Sequence, residues 1–563
     1  MTHLRINRRT LLTGTVALGT VGLLAACGGG SDKKISGKAA SSTEEIVKNL
    51  EINKQDRSSL KQGGEFRASV SAVGPNFNIL TQSGYTTANL TAFGGACNIP
   101  SAIGFTSLSP AGEYSLNDDY VSDYKAETVD GVQTITFKLN SKAVFNDGTP
   151  VDVEAIRAAW TVYRNPEDGY NVIATPFWQQ VASIDPVGGD KTRVKIVMSK
   201  PLYPAETLGL LGLHPALTDK ELFNNGFVNK PLDQYWSGPF KIGEWNSSAK
   251  TLTLVPNDKW WGEKPKLDRI VVREMADAAA RAAYKNGELD AVESRTLSAY
   301  NEMKDVANSE IRRGRRLFAG GMNLNAEHIT DVAVRKAIFL GIDRGALAKI
   351  RFQGLPYEEE VPGSMLLLGS SPHYRDNYPA RNPEEARKVL EKAGYTKSGD
   401  FYAKDGKTIT LKLTTFGDDA TTKGQAQTFI QSMKEIGINF ELDSRAQSEF
   451  SKVVGNREYD VSISGFGVTS EPTSAAEYFY HSKNWNGVGT PEIDAMVDEM
   501  VTILDDAKRA EKCNEIEKKH MSEVCLFIPF LNGPDFKACR PKLANYGAFL
   551  FKTTDWSTVG WMA

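Results

Sequence analysis

Apolar positions fall into three regimes along this chain. From Leu11 to Leu24 they form a run broken only by Thr and Gly. It is too short and too glycine-rich for a membrane span, which needs about 20 apolar residues. From Gly28 to about Gln62, Gly, Ser, Lys and Glu dominate and few apolar residues occur, which predicts a mobile tether. Beyond it, apolar positions become periodic. Gly63-Gly64-Glu65-Phe66-Arg67 predicts a first strand; Thr134 to Leu139, Arg193 to Met198, Thr251 to Val255 and Ile409 to Thr414 predict others. Helical spacing runs from Val153 to Tyr163 and from Ala276 to Asn286. Asn382, Pro383, Glu385 and Gly394 punctuate a well-specified helix: a cap, a first-position proline, a capping-box acid and a terminating glycine. Thr490-Pro491 starts another, with Ile493, Met496, Val497, Met500, Val501 and Leu504 on one face. Strands alternating with helices in two blocks, to about Arg316 and from Leu317, predict an α/β protein of two lobes.

Composition is that of a globular protein, and 563 residues exceed what one core supports. The formal charge is -3, and without residues 1–26, which hold Arg5, Arg8 and Arg9, it becomes -6. That balance gives no indication of a nucleic-acid partner, and none is expected. Arg8 and Arg9, the apolar run and the small residues before Cys27 make an export signal. Leu24-Ala25-Ala26-Cys27 resembles a bacterial lipobox, which implies a lipid-modified, palmitate-bearing Cys27 as membrane anchor, and Asn7-Arg8-Arg9-Thr10-Leu11-Leu12 resembles a twin-arginine signal.

Four further cysteines, Cys97, Cys513, Cys525 and Cys539, allow three pairings where disulfides persist. Val524 to Phe530 and Asp535 to Ala538 read as arms of a hairpin around Asn532-Gly533-Pro534, which sets Cys525 opposite Cys539 and leaves Cys97 for Cys513. No CxxC or histidine cluster supports a metal. The six histidines are scattered, and GxSxG, HExxH and phosphate-loop motifs are absent, which argues against a secreted hydrolase.

Seven collinear segments resemble the extracytoplasmic solute-binding proteins of ATP-binding-cassette importers, family 5, which includes oligopeptide-, dipeptide- and nickel-binding lipoproteins. They are Val144 to Asp152; Ser237-Gly238-Pro239-Phe240-Lys241-Ile242; Asn257 to Gly262; Tyr284 to Ala291; Val332 to Ile338 with Ile342-Asp343-Arg344; Asn382 to Tyr395; and Gly489 to Asp494. The physics of these segments is mostly structural. Asp147-Gly148-Thr149-Pro150 turns the chain toward a helix capped by Thr149 or Asp152, Trp260 and Trp261 read as packing anchors, and Asp343-Arg344 as an ion pair.

The resemblance implies a bilobed periplasmic-binding-protein-like fold of type II with an extra subdomain, a hinge and a cleft closing on solute. It divides the chain into signal (1–26), tether (27–62), lobe I (63–316, with an insertion at about 108–235), lobe II (317–530) and a return to lobe I (531–563). It implies a monomer without cofactor, delivering peptides to a permease driven by ATPases, with a nickel or haem chelate or an oligosaccharide as alternatives. In peptide-binding relatives an aspartate after a tryptophan meets the ligand amine. Here Phe466, Gly467, Val468, Thr469 and Glu471 occupy that loop, tryptophan and aspartate are missing, and Glu471 is the nearest acid, or else a helix cap. By position in the family, Phe77, Asn78, Trp236, Met322 and Asn323 are further ligand-binding expectations.

Overall fold

The computed structural model describes residues 35–36, 50–97, 106–108, 114–172, 177–208, 212–315, 319–358, 361–369, 371–417, 419–446, 449–466, 472–482, 489–549 and 554–563. Lobe I is built on a four-stranded sheet in the order Glu65–Val70, Arg269–Glu274, Thr251–Pro256, Phe240–Asn246. The first two strands run parallel and the others antiparallel. Inserted between its first two strands in sequence is an antiparallel sheet of Val121–Val129, Val132–Leu139, Asp190–Met198 and Val181–Val187. The helix Val153–Tyr163 packs on that sheet through Val153, Ile156, Ala159 and Val162. Asp152, rather than Thr149, caps it by accepting from Glu154 N–H, while Asp147 holds the preceding turn through Thr149.

Lobe II is a five-stranded sheet in the order Asn439–Arg445, Thr410–Phe416, Val461–Phe466, Ala319–Leu324, Phe527–Leu531. The first three strands are parallel and the last two antiparallel to their neighbours. Helices Ala420–Glu435 and Asp506–Glu523 belong to the same lobe. Phe527–Leu531 is buried along its whole length and contains Pro529, which a ladder tolerates at the sheet edge.

Two strands continue from one lobe into the other. Glu310–Arg315 pairs with Pro534–Cys539 in a three-stranded sheet completed by Ala291–Glu293, with Arg315 opposite Pro534. A few residues on, the same two segments pair again in the lobe II sheet, Gly320 opposite Leu531. The ribbon therefore changes sheets around residues 532–533, where Gly533 adopts φ 78°, a conformation costly for a residue with a Cβ. Arg312 is buried on this ribbon, bonded to Glu310 Oε1 at 2.8 Å, to Leu543 O at 2.6 Å and to Tyr546 O.

The change of sheet overturns the expected hairpin. Phe527–Leu531 and Pro534–Cys539 do not pair with each other, so Cys525 does not face Cys539, and all four cysteines are buried free thiols. Cys513 Sγ lies 3.0 Å from Met500 Sδ, and Cys525 Sγ donates to Met521 O at 3.1 Å.

Part of the expected tether is fixed. From Leu50 on, the chain is tied to the body: Glu51 N–H donates to Arg313 O, Asn53 Nδ2 to Leu543 O at 3.0 Å, and Leu60 is buried. The polar composition that suggests mobility here serves hydrogen bonds to the C-terminal segment. Asn382 caps Pro383–Lys392 as expected, accepting from Glu385 N–H at 3.0 Å. The helix Pro491–Met500 buries Ile493, Val497 and Met500 but stops before Leu504, which is 71 % exposed. Asp343 caps its helix and Arg344 bonds to the carbonyls of Pro362 and Pro529, so the two form no ion pair.

Candidate functional site

Among the described residues, the lobes approach each other at three places where side chains of candidate interest lie. The first lies beside the ribbon. A Cβ on Gly354 of lobe II would sit 3.1 Å from Leu297 of lobe I, and one on Gly533 would sit 3.4 Å from Phe352. In the same region, Arg295 of lobe I lies within range of the charge of Arg351, near the C-terminus of the helix Arg344–Phe352. Arg295 is engaged by Glu293 at 2.7 Å and Asp535 at 3.1 Å, which hold it well above the usual guanidinium range. Arg351 has neither hydrogen bond nor ion pair among the described residues. Burial lowers its proton affinity, Asp419 opposes this and the charge of Arg295 adds to it. Asp419 is occupied as the cap of Ala420–Glu435, accepting from Thr421 and Thr422 N–H. A half-buried guanidinium without a partner is a binding group for a carboxylate.

The second place is a group of three tyrosines, one each from the lobe I loop, the insertion and lobe II. Tyr163 ends the helix Val153–Tyr163 and Tyr478 lies in Thr473–Tyr480. Burial raises the hydroxyls of both, that of Tyr478 to about 12, and both feel Tyr85. Tyr85 keeps 49 % of its surface accessible, and burial also raises its hydroxyl. The hydroxyls of Tyr85 and Tyr163 have no hydrogen-bond partner among the described residues.

The third place is the outer rim, where Tyr203 N–H of the insertion donates to Val501 O of lobe II at 2.8 Å. Glu206 stands beside it, its carboxyl raised by burial, with Asp506 and Arg509 of lobe II in range.

The positions expected from sequence are mostly elsewhere. Phe77 is fully buried against Phe93 and Trp245, and Asn78 uses its amide inside lobe I, accepting from Leu80 N–H and donating to Phe223 O at 2.7 Å. Trp236 stacks between Phe93 and Phe227 at centroid distances of 5.6 and 6.2 Å, as core packing requires. These three are corrected from ligand wall to core. Met322 is buried within the central lobe II strands, and Asn323 beside it donates to Ser464 Oγ at 2.6 Å while its Oδ1 is buried without a partner. Phe466 ends a strand opposite Ala319. Gly467, Val468, Thr469 and Glu471 lie outside the described residues. Trp260 and Trp261 are packing anchors as expected, 4.6 Å apart and against Tyr120, each indole donating to a carbonyl.

Sequence reasoning missed Arg351 and the tyrosines because neither has a motif. Isolated in sequence, they gain meaning only when the lobes juxtapose them. Among the described residues no group of three His, Cys, Asp or Glu is placed to hold a metal ion, and no helix is long and apolar enough to cross a membrane.

The same architecture recurs among known proteins. The oligopeptide-binding protein OppA of Mycobacterium tuberculosis is 28 % identical over 527 residues, 91 % of this chain and 87 % of its own. The solved periplasmic EDTA-binding protein EppA superposes with a TM-score of 0.80 at 20 % identity, covering 93 % of this chain and all of that one. The oligopeptide-binding protein AppA of Bacillus subtilis, in complex with a nonapeptide, gives 0.75 at 18 % identity over 90 % of this chain and all of AppA. Residues 121–487 match the description of bacterial extracellular solute-binding proteins, family 5, and the chain belongs to that family of binding proteins.

Proposed function

We propose that this chain is the solute-capturing lipoprotein of an ATP-binding-cassette importer, anchored through lipid at Cys27, and that it takes peptides and hands them to a membrane permease. The observation that carries the ligand reading is Arg351, a guanidinium at the lobe seam beside the ribbon with no hydrogen bond or ion pair among the described residues. A ligand carboxylate placed there satisfies Arg351 and relieves its repulsion from Arg295. The ligand's body then lies toward Tyr85, Tyr163 and Tyr478, whose hydroxyls donate to acceptors such as peptide carbonyls and whose rings cover apolar side chains. The likeness to OppA over most of both chains supports peptides over other solutes.

Capture follows from two-lobe mechanics. An open form admits solute, the ribbon bends, and closure brings Arg351 and Tyr478 of lobe II onto a ligand held by lobe I. Ligand interactions made only in the closed form set the closing equilibrium. Peptides are accommodated broadly where backbone groups, rather than side chains, are read.

A second reading, a polycarboxylate metal chelate, is favoured by the same guanidiniums and by the likeness to an EDTA-binding protein. An oligosaccharide would call for aromatic rings free to stack on sugars, and the paired Trp260 and Trp261 are instead packed on each other with both indoles bonded to carbonyls. Native mass spectrometry of the signal-free protein with its co-purified solute tests the choice. Peptide masses are expected; a metal chelate establishes the second reading and a sugar overturns both.

A further inference from the structure

The four buried thiols and the paired arginines at the N-terminus are not used by solute capture, and they point the same way. Cys97 and Cys539 lie in lobe I and the three-stranded sheet, Cys513 and Cys525 in lobe II, all four buried and none bonded to another. No pairing is formed in the structure. Cys513 sits in the middle of the helix Asp506–Glu523 and Cys525 beyond its end, about 15 Å of helix apart, where a disulfide needs Cα atoms within about 7 Å. Cys525 and Cys539 flank strands of different sheets.

An unfolded chain threaded into an oxidising compartment exposes all four thiols. Each disulfide formed there joins residues the native structure holds apart, and must be reduced again before folding. A chain already folded exposes none of them. Burial pushes Cys525 and Cys539 up to about 12, which suppresses the thiolates that oxidation requires. Independently, Asn7-Arg8-Arg9-Thr10-Leu11-Leu12 places two adjacent arginines directly before the apolar run. A general secretory signal needs only positive charge at that position, so lysine serves it equally; a paired-arginine signal does not accept lysine.

We propose that this chain folds with its cysteines reduced before it leaves the cytoplasm, and that its export partner is the translocase that carries folded proteins and reads the arginine pair. The proposal rests on the reading of residues 1–26 as an export signal.

The test is export of the full-length chain carrying R8K and R9K together, which preserves the charge. At least a tenfold loss of protein outside the membrane is expected, with unprocessed, folded precursor accumulating in the cytoplasm. Wild-type exported protein is expected to react with a maleimide at Cys97, Cys513, Cys525 and Cys539 only after denaturation. Undiminished export of the lysine variant, or disulfides in the exported wild type, overturns the route while leaving the export reading intact. Absence of the wild type from the exterior overturns both. Replacing residues 1–26 by a general secretory signal is expected to yield disulfide-linked, misfolded material; clean folded protein from that chimera counts against the proposal.

Discussion

Arg295 and Arg351, one from each lobe, lie within range of each other's charge with unequal surroundings: Arg295 is held by Glu293 and Asp535, while Arg351 meets no ion pair among the described residues. Replacing Arg351 by alanine removes the unpaired charge. Peptides with a free carboxylate are expected to bind about 10- to 100-fold more weakly to the variant, the loss of one charge-assisted hydrogen-bonded contact of about 1.5–3 kcal/mol. Carboxyl-amidated peptides are expected to bind both proteins alike in calorimetry. Equal losses for both ligands remove Arg351 from the carboxylate site.

Tyr85 separates ligand effects from folding effects, because its ring is open to solvent in the unliganded protein. Tyr85→Ala is expected to change the unliganded melting free energy by no more than about 0.5 kcal/mol. The stabilisation that saturating ligand gives, about 2.7 kcal/mol at a hundredfold excess over Kd for the wild type, is expected to shrink at the same ligand concentration. A thermal-shift titration reads both.

Trp236 makes the opposite case. Stacked between Phe93 and Phe227, it is expected to cost about 3–5 kcal/mol when cut to alanine. The fraction that still folds is expected to keep the wild-type Kd, measured on protein stabilised by low temperature.

His520 predicts an acid limit. It is fully buried against Tyr480 and Phe527, with both ring nitrogens unpartnered, and burial together with Arg335 holds it at about 3. Unfolded, the ring titrates near 6.5, so between these values the unfolded chain binds the extra proton. Stability from this group is complete above pH 6.5 and falls as pH drops toward 3, by about 2 kcal/mol at pH 5. Urea melts of His520→Phe between pH 5 and pH 7 are expected to show a correspondingly flatter dependence. Glu517, also buried and raised, opposes this trend at lower pH in both proteins.

Gly533 tests the ribbon. Its φ of 78° makes a Cβ costly by about 1–2 kcal/mol, while the ring of Phe352 at 3.4 Å leaves room for it. Gly533→Ala is expected to lower the melting temperature and to slow ligand-induced closure in stopped-flow fluorescence.

Much of the fold was legible along the chain. Periodicity placed Val153–Tyr163 and Thr251–Pro256 to within a residue, and Asn382 and Thr490 announced helix starts, because caps and amphipathic faces are local properties. The hairpin around Gly533 was misread for an equally physical reason. Two apolar runs about a glycine turn look the same whether the strands pair with each other or leave for different sheets.

The sequence by itself determined the alternation of strands and helices and the family, since those reside in neighbouring residues and their order. Only the tertiary structure decided that Phe77, Asn78 and Trp236 are core, that the four cysteines form no disulfide, that Arg351 comes within range of the charge of Arg295, and that Tyr163 and Tyr478 come within range of Tyr85. Burial and partnership depend on which surfaces the two lobes bring together, and residues far apart in the chain acquire both at once when the ribbon crosses between sheets.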